Sequence, residues 1–135
     1  MAMKSNINFT TALRPGRLPW IGRPLPFPCH RRLPLKLYYA PWTCSLSPHI
    51  VINELNLPVT LQRVDTKTKM LAGGGDYYAI NPKGQVPVLE LDDGTRITEG
   101  AAIVQFLADR EGARELAPQA GTVARARVQE MLNFV

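Results

Sequence analysis

The stretch that decides the fold is NPKGQVPVLELDDGTRITEG, residues 81–100. Its apolar run VPVLEL (86–91) and the shorter TRIT (95–98) read as two strands. Asp92, Asp93 and Gly94 between them have the composition of a tight hairpin turn, so the pair is antiparallel. From Glu99 to Arg110 the residues Ala102, Ile103, Phe106 and Leu107 fall at i, i+1, i+4 and i+5, one stripe of a helix that Gly112 ends.

Upstream, YYAINPKGQ (77–85) reads as a single helical turn closed by Pro82 and Gly84, and DTKTKMLAGGGD (65–76) as a polar, then glycine-rich loop. VTLQRV (59–64) alternates as a half-exposed strand does. LKLYYA (35–40), stopped by Pro41, is a short buried strand. Between these two, SLSPHIVINELNL (45–57) places Leu46, Ile50, Val51 and Leu55 near helical spacing, with Ser47 and Pro48 as cap and first-turn residue. A strand, crossover helix and strand make a parallel pair. The pieces combine into an α/β, thioredoxin-like βαβ-α-ββα domain with a mixed four-stranded sheet over residues 35–112. ARELAPQAG (113–121) reads as a linker, and residues 122–135 open a further helix, with Val128, Met131 and Leu132 on one side, as the start of an all-α domain.

Charge is unevenly spread. Residues 1–34 hold six of the sixteen basic side chains and six of the twelve prolines but no acid. The rest is close to neutral, so the basic balance is no nucleic-acid footprint of the domain. The leader reads as a disordered extension, with an address label as the alternative, although its prolines would break the amphipathic helix of a transit peptide. No run is long and apolar enough for a membrane helix, and two cysteines fifteen positions apart make a poor disulfide framework. A reducing, cytoplasmic setting fits better. Cys29, His30, Cys44 and His49 show no metal-site spacing, and His49 reads as a surface or packing residue.

Three places could carry chemistry. Cys44 follows a strand and precedes a helix; a thiol so placed is tilted toward thiolate by unpaired N–H groups, whereas the plain reading is a small buried hydrophobe. The C-x-x-S pattern from Cys44 to Ser47 offers no resolving cysteine, which points to an external thiol as redox partner. Pro87 is either an ordinary strand-start residue or the second half of a cis Val86–Pro87 bond that turns the Val86 N–H and C=O outward toward an extended, peptide-like ligand. Thr98 and Glu99 are either a helix cap or a site where Glu99 receives an ammonium while the Gly100 N–H receives a carboxylate.

KLYYAPWTCSLSPHI (36–50), DYYAINPKGQVPVLELDDGT (76–95) and TEGAAIVQFLAD (98–109), spaced as they are, resemble the bacterial beta-class glutathione S-transferases. The resemblance runs from Leu35 to Val135. It implies glutathione as co-substrate without a metal, a small electrophile as second substrate, neither nucleic acid nor membrane as partner, and a homodimer once the helical domain is complete. By this resemblance Cys44 is the cysteine beside the glutathione sulfur, able to form a mixed disulfide with it. Gln85, Val86 and Pro87 match the segment that pairs with the cysteinyl backbone, Val86 through its main chain. Glu99 and Gly100 match the pair gripping the γ-glutamyl end, with glycine standing where many relatives have serine. Lys69 matches a loop lysine that reaches the glycyl carboxylate, its alternative being a solvated loop charge. Asn133 matches an asparagine that reaches the neighbouring subunit's glutathione. The family's helical domain continues past Val135, so a truncated transferase is expected, with the electrophile pocket mostly missing. Conjugation in detoxification is the leading activity; a glutathione-dependent thiol-disulfide reductase using Cys44 and a non-catalytic interaction module are the alternatives.

Overall fold

Alternation along β1 places the core. A strand sends successive side chains to opposite faces; Leu35 and Leu37 go to one side, Tyr38 to the other, and all three are buried. A computed structural model describes residues 35–134. The basic extension expected over residues 1–34, with Cys29 and His30, lies outside the described residues.

The chain runs β1 (Leu35–Tyr39), α1 (Leu46–Glu54), β2 (Val59–Asp65), β3 (Met70–Leu71), a 3₁₀ turn (Tyr77–Ala79), β4 (Val88–Glu90), β5 (Arg96–Thr98), α2 (Gly100–Glu111) and α3 (Val123–Phe134). The sheet order is β3-β2-β1-β4-β5. β1 and β2 are parallel, with Leu37 opposite Leu61, while β4 is antiparallel to both β1 and β5. The sheet is therefore mixed, but it has five strands rather than the four expected. The addition is β3, antiparallel to β2 through Val64–Leu71 and Asp65–Met70. It follows a turn in which Asp65 Oδ1 accepts the N–H groups of Lys67 and Thr68 and Lys69 takes a φ of +59°. Two residues carry no periodicity, which is why this strand is read as loop from composition.

On one face α1 and α2 pack over the sheet, joining Leu35, Leu37, Ile52, Leu57, Leu89, Ile103 and Leu107. On the other, Tyr38, Val64, Tyr77, Val86 and Val88 enclose a second cluster. Ile103 and Leu107, wholly buried, are each worth about 1.5–3 kcal/mol. The stripe on α2 is turned slightly from the expected one, with Ala108 buried and Ala102 exposed. Gly112 ends α2 in the left-handed conformation at φ +68°.

On β4, between β1 and β5, Glu90 accepts from Lys36 (3.1 Å), Tyr38 (3.2 Å) and Arg96 (2.8 Å). Burial pushes its carboxyl up, but the hydrogen bonds and charges of Arg96 and Lys36 outweigh that and hold it below its ordinary value. Arg96 also donates to the carbonyls of Ala79 and Ile80, fastening the 3₁₀ turn to β5.

α3 is docked chiefly by Arg125, with Gln129 Nε2 also donating to Gln105 Oε1 at 3.3 Å. The buried Arg125 donates to both Asp109 oxygens, to the Pro118 carbonyl (2.8 Å) and to Gln105 Oε1 (3.2 Å). The intervening stretch packs as well, Ala113 and Ala117 closing on Ala108. Arg125's hydrogen bonds, opposed by burial and reinforced by the charges of Arg125 and Arg114, hold the Asp109 carboxyl below its ordinary value. Such a group contributes stability above its unfolded value of 3.8 and loses it as pH falls through the lower folded value. Asp109→Asn should accelerate hydrogen exchange of α3 amides about tenfold at pH 7, the difference from wild type closing as pH falls through the lowered carboxyl value. Equal exchange at pH 7 would show that Arg125 is not what fastens α3.

Candidate functional site

The loop from β1 to α1 is tied down by hydroxyls. The buried Ser45 donates to the Ala40 carbonyl (2.9 Å) and accepts the Ala40 N–H (3.2 Å), while Thr43 Oγ1 donates to the same carbonyl (2.9 Å) and accepts the Ser45 N–H (3.3 Å). This closes a tight loop with Cys44 exposed on its rim, not buried as a small hydrophobe would be. α1 starts two residues earlier than the Ser47–Pro48 pair suggests. Ser45 holds the cap position, and Ser47 Oγ instead donates to the Cys44 carbonyl at 3.2 Å. Pro48 falls within the first turn, where its missing N–H costs nothing because first-turn donors lack helical partners.

Across from this loop, the segment 81–87 is set from beneath. Tyr77 Oη donates to the Gln85 carbonyl at 2.8 Å, and Asn81 Nδ2 to the same oxygen at 2.7 Å. Burial pushes the Tyr77 hydroxyl up to about 12, so it remains a donor at any physiological pH. Asn81 Oδ1 accepts the Lys83 N–H, and Lys69 Nζ reaches the Gly84 carbonyl at 2.8 Å. The Val86–Pro87 peptide bond is cis. The Val86 carbonyl accepts Cys44 Sγ at 3.0 Å, and among the described residues nothing takes the Val86 N–H.

The third wall is the start of α2. Glu99 stands at φ +69°, ψ 121°, a conformation that costs a non-glycine residue about 1–3 kcal/mol. It makes no side-chain cap bond, and its carboxylate instead meets Lys83 Nζ at 3.1 Å. A side chain at Gly100 would lie 3.5 Å from Ser47 Oγ, so the cleft has room where the chain carries glycine.

These walls enclose a cleft of about 700 Å³. Cys44, Lys69, Gln85, Val86, Pro87, Glu99 and Gly100 all line it. Asn133 does not; it is exposed on α3, which gives the cleft Leu132. Thr43, Ser47, Thr66 and Asn81 also line it and are not legible as site residues in advance. Asn81 carries the one usable signal, an asparagine ahead of Pro82 in a turn. His49 packs near Tyr39, ring centres 6.0 Å apart, away from the cleft lining. Among the described residues no three His, Cys, Asp or Glu side chains group as metal ligands would, and no helix is long and apolar enough to cross a membrane.

The cleft therefore offers a strand edge, a thiol and an acid beside a helix start. Residues 43–110 match the family described as glutathione S-transferase, N-terminal domain. The chain belongs to this family. The glutathione S-transferase GstA of Escherichia coli O157:H7 is 48% identical over 101 residues, 75% of this chain and 50% of that protein. The bacterial beta-class transferase of Sphingomonas chungbukensis superposes with a TM-score of 0.70 at 39% identity, over 73% of this chain and 49% of its own. A sphingomonad glutathione S-transferase complexed with glutathione gives 0.69 at 38% identity, over 73% and 49%. The chain spans about half the length of these relatives.

Among the described glycines of this glutathione S-transferase domain, Gly84 is the one at which an added Cβ would meet its closest neighbour. It has φ +63°, and a Cβ there would come within 2.8 Å of Tyr78 Cε1. Gly84→Ala is expected to cost about 1–3 kcal/mol in urea unfolding, through the left-handed backbone and the displaced ring. An unchanged unfolding midpoint would show that the turn absorbs the side chain without strain.

Proposed function

We propose that the protein to which this chain belongs is a glutathione S-transferase, conjugating the glutathione thiol to small electrophiles. The observation that carries the reading is that Cys44, the Val86 main chain and Glu99 line one cleft. Glutathione is a flexible anionic tripeptide thiol, so a site must order its two ends before its sulfur reacts. The Val86 N–H and C=O suit strand-like pairing with the cysteinyl unit, flanked by Gln85 and Pro87. Glu99 suits the γ-glutamyl ammonium, the Gly100 N–H the adjoining carboxylate, and Lys69 the glycyl carboxylate. The sulfur then faces Cys44. Its thiolate attacks the electrophilic carbon, the carbon–sulfur bond forms as the leaving group departs with its electron pair, and the thiol proton passes to solvent. Cys44 positions this sulfur or forms a mixed disulfide with it.

The reading extends to a homodimer in which Asn133 serves the neighbouring subunit's glutathione. The exposure of Met131 and Phe134 on α3 supports a further packing partner there. It also extends to a reducing, cytoplasmic setting, supported by the free thiol of Cys44. The accessible cysteine favours disulfide reduction as a second reading, in which Cys44 sulfur displaces one thiol of a mixed disulfide and a glutathione thiol then resolves the new bond.

Retention on immobilised glutathione tests the binding half, and a folded chain that flows through would sink it. Parallel assays with an aryl halide and a mixed disulfide rank the two chemistries. Cys44→Ser should abolish the mixed disulfide seen by mass spectrometry while sparing part of the conjugation; complete loss of both would show that the roles are misassigned.

A further inference from the structure

The cleft lining holds one cation, Lys69, and one anion, Glu99, so its formal charges cancel. Glutathione carries one ammonium and two carboxylates, so one ligand charge has no full counter-charge in that lining. A candidate stands beside it. Lys83 Nζ lies 3.1 Å from Glu99 Oε1, both side chains open to solvent, and the Lys83 backbone is pinned by the Asn81 side chain. We propose that Lys83 is a further ligand-positioning residue, which with Glu99 forms a zwitterion receptor for an amino-acid head group and binds its α-carboxylate.

This rests on the glutathione reading and deepens it. An α-amino acid head carries its ammonium and its carboxylate on one carbon. A protein pair with opposite charges at 3.1 Å presents the same separation in reverse. In the free protein the two protein charges neutralise each other. When the head group docks, the ligand ammonium meets Glu99 and the ligand carboxylate meets Lys83, so each charge exchanges one partner for another of the same sign. The Gly100 N–H at the open end of α2 contributes only a partial charge to that carboxylate, whereas Lys83 contributes a full one. An exposed ion pair is itself worth little, so separating Lys83 from Glu99 costs the binding step little. Lys83 touches neither the sulfur nor the electrophile in this arrangement, and its effect belongs to affinity rather than to the chemical step.

The test is calorimetric titration of the full 135-residue chain and of Lys83→Gln and Lys83→Arg with three ligands. These are glutathione, the analogue whose γ-glutamyl unit is replaced by 4-aminobutyryl, which lacks the α-carboxylate, and the glutaryl analogue, which lacks the ammonium. Lys83→Gln should weaken glutathione about fivefold and leave the 4-aminobutyryl analogue unchanged, and Lys83→Arg should restore most of the loss. The glutaryl analogue, which keeps the carboxylate, should show the same loss as glutathione. Tighter binding of glutathione by Lys83→Gln would make Lys83 a competitor for Glu99 and overturn the proposal. Equal losses for glutathione and the 4-aminobutyryl analogue, or no loss for either, would also overturn it. A folded wild type that binds glutathione by neither calorimetry nor affinity retention overturns the transferase reading as well, which separates the two failures.

Discussion

Two hydrogen bonds converge on the Gln85 carbonyl, from the Tyr77 hydroxyl and the Asn81 side-chain amide, and the geometry of the cleft depends on them. Tyr77 is fully buried and Asn81 nearly so; a buried polar group left unpaired costs about 1–3 kcal/mol, so both are strongly committed to this one acceptor. Their commitment leaves the chain from Gln85 to Pro87 no freedom to collapse onto the sheet. The Val86 main chain then stands beside the Cys44 sulfur, and β4 enters the sheet two residues later. Fold and site meet in this segment: the same residues that join the 3₁₀ turn to β4 form the floor of the cleft.

Around that floor the charges are few and mutually engaged. Lys69 donates to the Gly84 carbonyl and Lys83 pairs with Glu99, while Glu99 itself stands in an unfavourable backbone conformation at the start of α2. Backbone strain of this kind persists where surrounding structure overdetermines it, and here β5 on one side and the buried face of α2 on the other fix both neighbours of Glu99. The functional cost is local and small beside the apolar burial of Ile103 and Leu107, which holds α2 in place. This division of labour is what allows the Glu99 carboxylate to pair with Lys83 rather than fold back as a helix cap.

How much of this was legible in the chain varies with the physics behind each part. The β4–β5 hairpin was legible because Asp92, Asp93 and Gly94 satisfy a turn locally: Asp93 accepts the Thr95 N–H, and Gly94 takes φ +82°. α2 was legible because its apolar stripe and terminal glycine are local too. β3 was not, since a two-residue strand exists only through its pairing with β2. The start of α1 was misplaced at Ser47 because Ser45 is recruited by Ala40, a contact that depends on where β1 ends. Seven of the eight site residues named from motif resemblance line one cleft, whereas Asn133 is exposed and does not line it.

Residue order alone determined every element type except β3 and the parallel-then-antiparallel strand connectivity, because periodicity, turn chemistry and capping act over a few neighbours, and it marked Cys44, Val86–Pro87 and Glu99 as candidates. Tertiary structure alone decided that Cys44 meets the Val86 carbonyl, that Arg125 fastens α3 to α2, and that Lys83 stands against Glu99. These are contacts between residues 16 to 42 positions apart. Their existence follows from how the sheet and helices stack, a global balance of burial against chain entropy that no short window of sequence expresses.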